Sequence, residues 1–436
     1  MSEGANDKLR ELWDVADEHL VRYRGDFYPL VVERAKGVFI YDQDGRAILD
    51  FSSGQMCSTL GHNHPAVIEA LKRAGEKVIH LYTNMMSPML VELADKLADL
   101  LPPSLQKSMF PNTGSESNEA ALRMAKIHTG GYEVVGLSGS WHGQTLGAAS
   151  STYATGRKGH GPSLPGTMAI PAPNSYRCPI KHCAGKCDMT CLEVGFEMAD
   201  RQSVGEYAAF IAEPVQGAGG VIVPPESYWP EVKRILDERD ILLISDEVIC
   251  GFGRTGKWFG FETYGVEPDL VTFAKAVTNG YMPLGGSLVS KKISDVLLSG
   301  GGEFAHGLTY SGHPASCAAG LATLSILEET QIIEKGVVEL APYFASRLIE
   351  LADHPIVGQV RVKGLFAAVE LVRDKSSRER LASESAAAVH CRDTAITQGL
   401  MVRQTGDAMI MAPPFVTERS EIDFLVDQLA VALDRT

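Results

Sequence analysis

Between Ile241 and Ala276 the chain carries two apolar runs, each ending on a charged residue of opposite sign. ILLIS leads into Asp246, and LVTFA leads into Lys275. Short apolar runs bounded by turn-forming residues read as strands buried on both faces. Such strands belong in a parallel sheet covered by helices. In an open sheet of that kind, ligands gather beyond the carboxyl ends of the strands. Asp246 and Lys275 therefore converge on one site.

Each residue has an ordinary alternative. A lysine after an apolar run is commonly a surface residue with a buried stem, and an aspartate after a strand commonly makes a turn. Gly251 to Gly256, GFGRTG, also matches the dinucleotide fingerprint. That fingerprint opens an amphipathic helix. Here KWFGFETYG follows, with two more glycines and no helical period, so a nicotinamide enzyme is set aside. A carboxylate facing a desolvated amine suits a pyridinium cofactor held on lysine as a Schiff base. The pair thus points to pyridoxal 5'-phosphate.

Upstream segments build the same site. MFPNTGSESNEAALRMAKIHTG reads as strand, turn and helix, with Thr113 and Glu116 at capping-box spacing. Gly114 and Ser115 would then present amides and a hydroxyl at a helix N-terminus, where a phosphate dianion is favoured. EVVGLSGSWHG reads as a strand ending at Trp141-His142, an aromatic position that can stack on a planar ring. AAFIAEP ends a buried strand at Glu213, and SYWPEVKRILDERD is the helix feeding the strand to Asp246. Alternating strand and helix implies a parallel sheet with crossover helices.

Other stretches read more simply. Residues 152–174 and TNGYMPLGGSLVSKKI are rich in glycine, proline and serine and are expected to be loop. FYPLVVERAKGVFIYDQDGRAILDF alternates around Asp44-Gly45, which suggests a hairpin. HPAVIEALKRAGEKV, SPMLVELADKLADLLP and the stretch from Ala315 to Glu328 have helical character. In SEIDFLVDQLAVAL, apolar residues at 422, 425, 426, 429 and 433 mark an amphipathic helix.

Composition removes several classes of function. Forty Lys+Arg against 54 Asp+Glu leave a net charge of −14, which disfavours nucleic acid and anionic membrane surfaces as partners. The N-terminal MSEGANDKLRELWDVADEHL lacks an apolar signal core. No apolar run approaches the roughly 18 residues that span a bilayer, so a cytoplasmic protein is expected. Cys57, Cys250, Cys317 and Cys391 are scattered and read as buried thiols. Cys178, Cys183, Cys187 and Cys191 cluster around His182. Their gaps fit zinc ribbons poorly, and a reduced cluster in a surface insertion is expected ahead of a disulfide or a metal. His62 and His64 sit in a Gly/Asn/Pro loop and are assigned to turn hydrogen bonds, with no metal.

SDEVICGFGRTG followed by PDLVTFAKA resembles the attachment-site pattern of class III aminotransferases, which are fold-type-I pyridoxal-phosphate enzymes. The likeness runs from about Tyr41 to the C-terminus. FSSGQM, TGSESNEAALRMAK, SWHG and DRQSVGEYAAFIAEP are most similar to 2,2-dialkylglycine decarboxylase. GLTYSGHPASCAAG and VRQTGDAMIMAPP look more like omega-amino acid:pyruvate aminotransferases. The resemblance implies an α/β fold with two parts. Residues 66–329 would form a large domain with a mainly parallel sheet flanked by helices. Residues 1–65 and 330–436 would form a smaller α+β domain with an N-terminal arm.

It also implies roles. Lys275 would carry the Schiff base and move the proton, and Asp246 would hold the ring nitrogen protonated. Val248 would pack beneath the ring and Trp141 stack on it. Gly114, Ser115, His142 and Glu213 would complete the cofactor site. Thr309 would reach the phosphate of a neighbouring subunit, so a homodimer or a dimer of dimers with shared active sites is expected. Arg403 matches the mobile arginine that binds a substrate carboxylate in omega-aminotransferases. Gln55 matches the glutamine that holds the departing carboxylate in the decarboxylase. Three other decarboxylase positions depart: its carboxylate-binding arginine falls at Ile410, its alkali-metal aspartate at His313, and a glutamine after Asp246-Glu247 at Ile249. The expected reaction is transfer of an amino group from an amine or omega-amino acid to pyruvate or another 2-oxo acid. The alternative is decarboxylation-dependent transamination.

Overall fold

The computed structural model describes residues 3–22, 27–28, 30–154, 156–180, 187–299, 303–381 and 386–436. After the helix Glu3–His19 come β1 (Val32–Lys36), β2 (Phe39–Asp42) and β3 (Ala47–Asp50), paired antiparallel. The turn between β2 and β3 falls where Asp44-Gly45 places it. Gly45 takes φ 77°, and Asp42 Oδ1 accepts from the amides of Asp44 and Arg46 at 3.0 and 2.9 Å.

The central sheet contains β4 (Leu105–Met109), β5 (Glu133–Leu137), β6 (Thr167–Ile170), β7 (Tyr207–Ala212), β8 (Leu242–Asp246), β9 (Leu270–Phe273) and β10 (Gly286–Ser290). Its order is β4-β10-β9-β8-β7-β5-β6, parallel from β6 to β9, with β10 antiparallel to both neighbours. Every residue of β5, β8, β9 and β10 is buried. The crossover helix Tyr228–Glu238 lays Tyr228, Trp229, Val232, Ile235 and Leu236 against the core. The helix Gly114–Thr129 packs across β7, β9 and β10.

Three sequence expectations need correction. Residues 152–174 include the edge strand β6, whose four residues, TMAI, are too short a run to stand out. TNGYMPLGGSLVSKKI includes β10, where the glycine pair reads as loop. Gly286 is there because a Cβ at that position would lie 1.9 Å from Phe273 Cζ on the neighbouring strand. The strand expected to reach Trp141-His142 ends at Leu137, and Gly139 turns the chain at φ 80°.

Beyond the helix Pro314–Glu329, β11 (Val357–Lys363), β12 (Phe366–Leu371), β13 (Leu400–Met401), β14 (Arg403–Thr405) and β15 (Ala408–Met411) follow. The sheet β11-β12-β15-β14 is antiparallel, while β13 joins β3 in parallel with Leu400 opposite Leu49. The last helix, Arg419–Asp434, buries Ile422, Leu425, Val426, Leu429 and Leu433, the spacing read from the sequence. One apolar cluster runs from Phe51 through Phe252 and Phe273 to Phe415 and Leu433, so the sheets share a core.

Cys250, Cys317 and Cys391 are buried free thiols, whereas Cys57 is only half-buried, contrary to expectation. Cys178 and Cys187 are free and half-buried, Cys191 is buried, and His182 and Cys183 lie outside the described residues. Among the described residues no group of three or more His, Cys, Asp or Glu could hold a metal. His62 Nε2 pairs with Asp50 Oδ2 at 2.9 Å, and the His64 amide donates to Tyr281 Oη at 2.6 Å. Among the described residues no helix is long and apolar enough to cross a membrane.

Candidate active site

Asp246 is the last residue of β8 and is 2% exposed. Its Oδ2 lies 2.7 Å from His142 Nδ1 and accepts from Asn118 Nδ2 at 2.9 Å. Its Oδ1 accepts from the Val248 amide at 3.1 Å. Asn118 also donates to the His142 carbonyl at 2.7 Å and accepts from Thr272 Oγ1 at 2.7 Å. The His142 amide in turn donates to Thr152 Oγ1 at 2.8 Å. A buried carboxylate needs such partners, and their number leaves its side chain a single orientation. Asn118 and Thr272 were not singled out from the sequence. They lie 128 and 26 positions from Asp246, and nothing local distinguishes them.

The helix Gly114–Thr129 begins beside this group. Thr113 Oγ1 caps it by accepting from the Glu116 amide at 3.2 Å. The capping box is modified, because Glu116 Oε2 reaches the Asn112 amide at 2.7 Å. The first amides of any helix have no intrahelical carbonyl, which leaves those of Gly114 and Ser115 for a ligand. Ser115 Oγ accepts from the Gln144 amide at 3.0 Å. A Cβ on Gly114 would meet Val248 Cγ2 at 2.9 Å, and one on Gly143 would meet Ser115 Oγ at 2.2 Å. Only glycine fits at either place, so the helix end, Val248 and the 143–144 turn form one tight cradle.

Lys275 follows β9 with φ 46°, a left-handed conformation unusual for a residue with a side chain. Strain of this kind persists where surrounding structure enforces it, commonly at functional sites. Burial pulls the Lys275 amine below the ordinary lysine range, with Cys57 and Asp246 opposing and Arg403 adding to the shift. Those groups therefore share one electrostatic environment. Asn279 ties the turn after Lys275 to the loop after Cys57. Its Oδ1 accepts from the Leu60 amide at 2.7 Å and its Nδ2 donates to the Gly61 carbonyl at 2.8 Å. Burial pushes the Cys57 thiol up, while Lys275 pulls it down.

Glu213, just past β7, accepts from the Trp141 amide at 3.0 Å and from the Gly217 amide at 2.7 Å. Burial raises its carboxyl to about 7. It therefore sets the backbone of the half-buried Trp141. Thr309 stands exposed in the turn before the helix Pro314–Glu329, next to Tyr310.

On the opposite side, Arg403 extends from β14, and its Nη1 donates to Gln55 Oε1 at 2.6 Å. Arg403 is the cross-strand partner of Ile410, which is buried. Arginine at 403 and isoleucine at 410 thus share one rung of the hairpin. His313 precedes the helix Pro314–Glu329 and stacks on His80 at 5.9 Å, and Ile249 is buried.

Each part of pyridoxal phosphate has a counterpart in this arrangement. Lys275 offers an amine for the aldehyde, Asp246 a carboxylate for the ring nitrogen, and the Gly114–Ser115 amides a cradle for the phosphate. The donor set fits the group.

Comparison with known proteins agrees. The profile of the family described as aminotransferase class-III matches residues 21–433. The putrescine–pyruvate aminotransferase of Pseudomonas aeruginosa is 40% identical over 458 residues, covering 100% of this chain and 98% of that one. A chloroplastic gamma aminobutyrate transaminase 3 of Solanum lycopersicum is 37% identical, covering 94% of this chain and 82% of that one. The solved structure of a thermostable (S)-enantioselective omega-transaminase from Thermomicrobium roseum has a TM-score of 0.91 at 38% identity, covering 98% of each chain. An omega transaminase from Pseudomonas jessenii in complex with PMP has a TM-score of 0.90 at 31% identity, covering 97% of each.

Proposed function

The chain belongs to the class-III aminotransferases, pyridoxal-phosphate-dependent enzymes of fold type I, and from that premise we propose that it moves an amino group from an amine or omega-amino acid to pyruvate. The observation that carries this reading is Arg403 held by the neutral amide of Gln55. A substrate carboxylate would exchange for that amide, because a carboxylate adds opposite charge and can accept two parallel N–H bonds from the guanidinium where the amide oxygen carries no charge. An amine without a carboxylate would leave the pair in place. The Pseudomonas aeruginosa relative is named for putrescine and pyruvate, which makes a diamine the first donor to try.

Bound pyridoxal phosphate supplies an electron-withdrawing ring that takes up the electron pair of the bond broken at the substrate carbon. Asp246 would hold a proton on the ring nitrogen. The Gly114 and Ser115 amides would hold the phosphate, Val248 and Trp141 would contact the ring, and His142 and Glu213 would act through Asp246 and Trp141. Lys275 Nζ takes the proton from the substrate carbon and returns it, a transfer of a kind worth about 10²–10⁴-fold. Burial of that amine lowers its affinity for the proton, so the neutral base is available nearer neutral pH.

The site is completed by a second copy of the chain, in a dimer or a dimer of dimers. Ile79, Tyr82, Met85, Met86 and Tyr310 are exposed, Met86 to 80%, the His80 ring lies 5.6 Å from that of Tyr310, and Thr309 precedes Tyr310. Apolar patches of this kind mark association surfaces. Residues 66–329 form the large domain in this reading, and residues 1–65 and 330–436 form the smaller one. The enzyme is assigned to the cytoplasm.

A donor panel of putrescine, omega-amino acids and simple amines, run against pyruvate and 2-oxoglutarate with carbon dioxide monitored, tests the proposal. Alanine formation from pyruvate without gas release is expected. Stoichiometric carbon dioxide from 2-aminoisobutyrate would establish decarboxylation-dependent transamination instead.

A further inference from the structure

The turn that presents Gln55 is built more rigidly than a pocket lining needs. Ser53, Gly54 and Met56 take φ of 46°, 64° and 63°, so two residues with side chains occupy the left-handed region within four positions. Asp50 braces this turn. Its Oδ1 accepts from the Ser52 amide at 3.0 Å and from the Ser52 hydroxyl, its Oδ2 accepts from the Gly54 amide at 2.8 Å, and His62 pairs with the same Oδ2. The turn is also tied to the hairpin that carries Arg403. Ser53 Oγ donates to the Ala412 carbonyl, the Ala412 amide donates to Phe51 O at 2.7 Å, and the Phe51 amide donates to Met401 O at 3.0 Å. Strained backbone held by this many partners marks a constraint that the surroundings enforce. What it fixes is the position of one exposed side chain, Gln55, against one half-buried guanidinium.

We infer that Gln55 is a positioning residue that parks Arg403 whenever no substrate carboxylate is bound, and so sets how strongly the enzyme prefers an oxo-acid acceptor over an uncharged substituent in the same space. This rests on the reading of Arg403 as the carboxylate-binding residue. A neutral amide suits the task. An apolar side chain would offer the guanidinium no hydrogen bond from this turn, and a carboxylate would compete with substrate on equal terms. The turn geometry keeps the amide in place while the longer arginine side chain moves.

The test is a cycle of variants assayed on the holoenzyme with pyruvate as acceptor, reading KM and kcat separately. Gln55→Glu should raise the pyruvate KM about three- to fivefold, an effect limited by the exposure of the pair. Gln55→Leu should lower that KM, because the competing partner is gone. In an Arg403→Ala background both substitutions should leave the pyruvate KM at the Arg403→Ala value, since the coupling has been removed. Equal losses from Gln55→Glu and Gln55→Leu, persisting without Arg403, would mean that Gln55 merely shapes the pocket and would overturn the inference. An Arg403→Ala enzyme with an unchanged pyruvate KM would instead overturn the carboxylate-binding role itself, which separates the two failures.

Discussion

Two ends of the same site are built on opposite plans. Around Asp246 the groups are buried apart from the half-buried Val248, each polar atom of the carboxylate has a partner, and the supports come from a helix, a neighbouring strand and the tight turns that carry His142 and Val248. Around Arg403 the groups are exposed or half-buried, the strand is three residues long, and a hydrogen bond joins the guanidinium to the exposed Gln55. The first plan suits a group whose position must not change during the reaction. The second suits a group that has to serve two substrates of different charge in turn. Electrostatic interactions are strong where water is excluded and weak where it is not, so the proposed function places the chemistry at the buried end and the selectivity at the open one.

The contrast orders the effects of mutation. Lys275→Ala should cost the most, with turnover falling about 10²–10⁴-fold or more and no cofactor fixed to the protein by borohydride. Retained fixation would remove Lys275 from its role. Asp246→Asn keeps the shape of the buried cluster but removes its charge, and should lower kcat about ten- to hundredfold with every donor alike, as loss of a charge-assisted hydrogen bond does. A loss confined to some donors would break the division between the two ends. Arg403→Ala should instead raise the KM for pyruvate by up to about tenfold, the pair being partly solvated, and spare simple amine donors. Equal losses on both substrates would show that the open end is not selective.

A further effect is one of pH, and it is read in stability and not in turnover. Burial raises Glu213 to about 7, so between the ordinary carboxyl range and about 7 the folded chain binds more protons at this position than the unfolded chain. Stability tied to this group is present below that range and falls as pH rises through about 7. Glu213→Gln does not titrate. The stability difference between wild type and Glu213→Gln should therefore shrink as pH rises from about 4.5 to 7, by at most about 3 kcal/mol. Denaturant titrations at several pH values measure it, and a constant difference would mean that Glu213 is ionised throughout.

Several parts of the site were legible because they rest on local pattern. Asp246 and Lys275 end apolar runs, and strand ends in a parallel sheet must face the same way. Thr113 to Glu116 announce a helix start, though the glutamate reaches one residue further back than the motif predicts. The glycines were harder to read. Gly286 stands in a strand because a phenylalanine ring lies against it, and Gly139 ends a strand that hydrophobicity alone would extend.

The apolar runs and their alternation with helical segments already pointed to a mainly parallel α/β sheet with an acid and an amine at its carboxyl edge. That follows because apolar runs must be buried and because strand direction dictates which ends meet. Only the tertiary structure decided which distant groups complete the site: Asn118 and His142 on Asp246, Asn279 bracing the loop after Cys57, and Gln55 on Arg403 across 348 positions of chain. Hydrogen bonds between side chains far apart in sequence leave no periodic trace, so their partners emerge only when the sheets have packed.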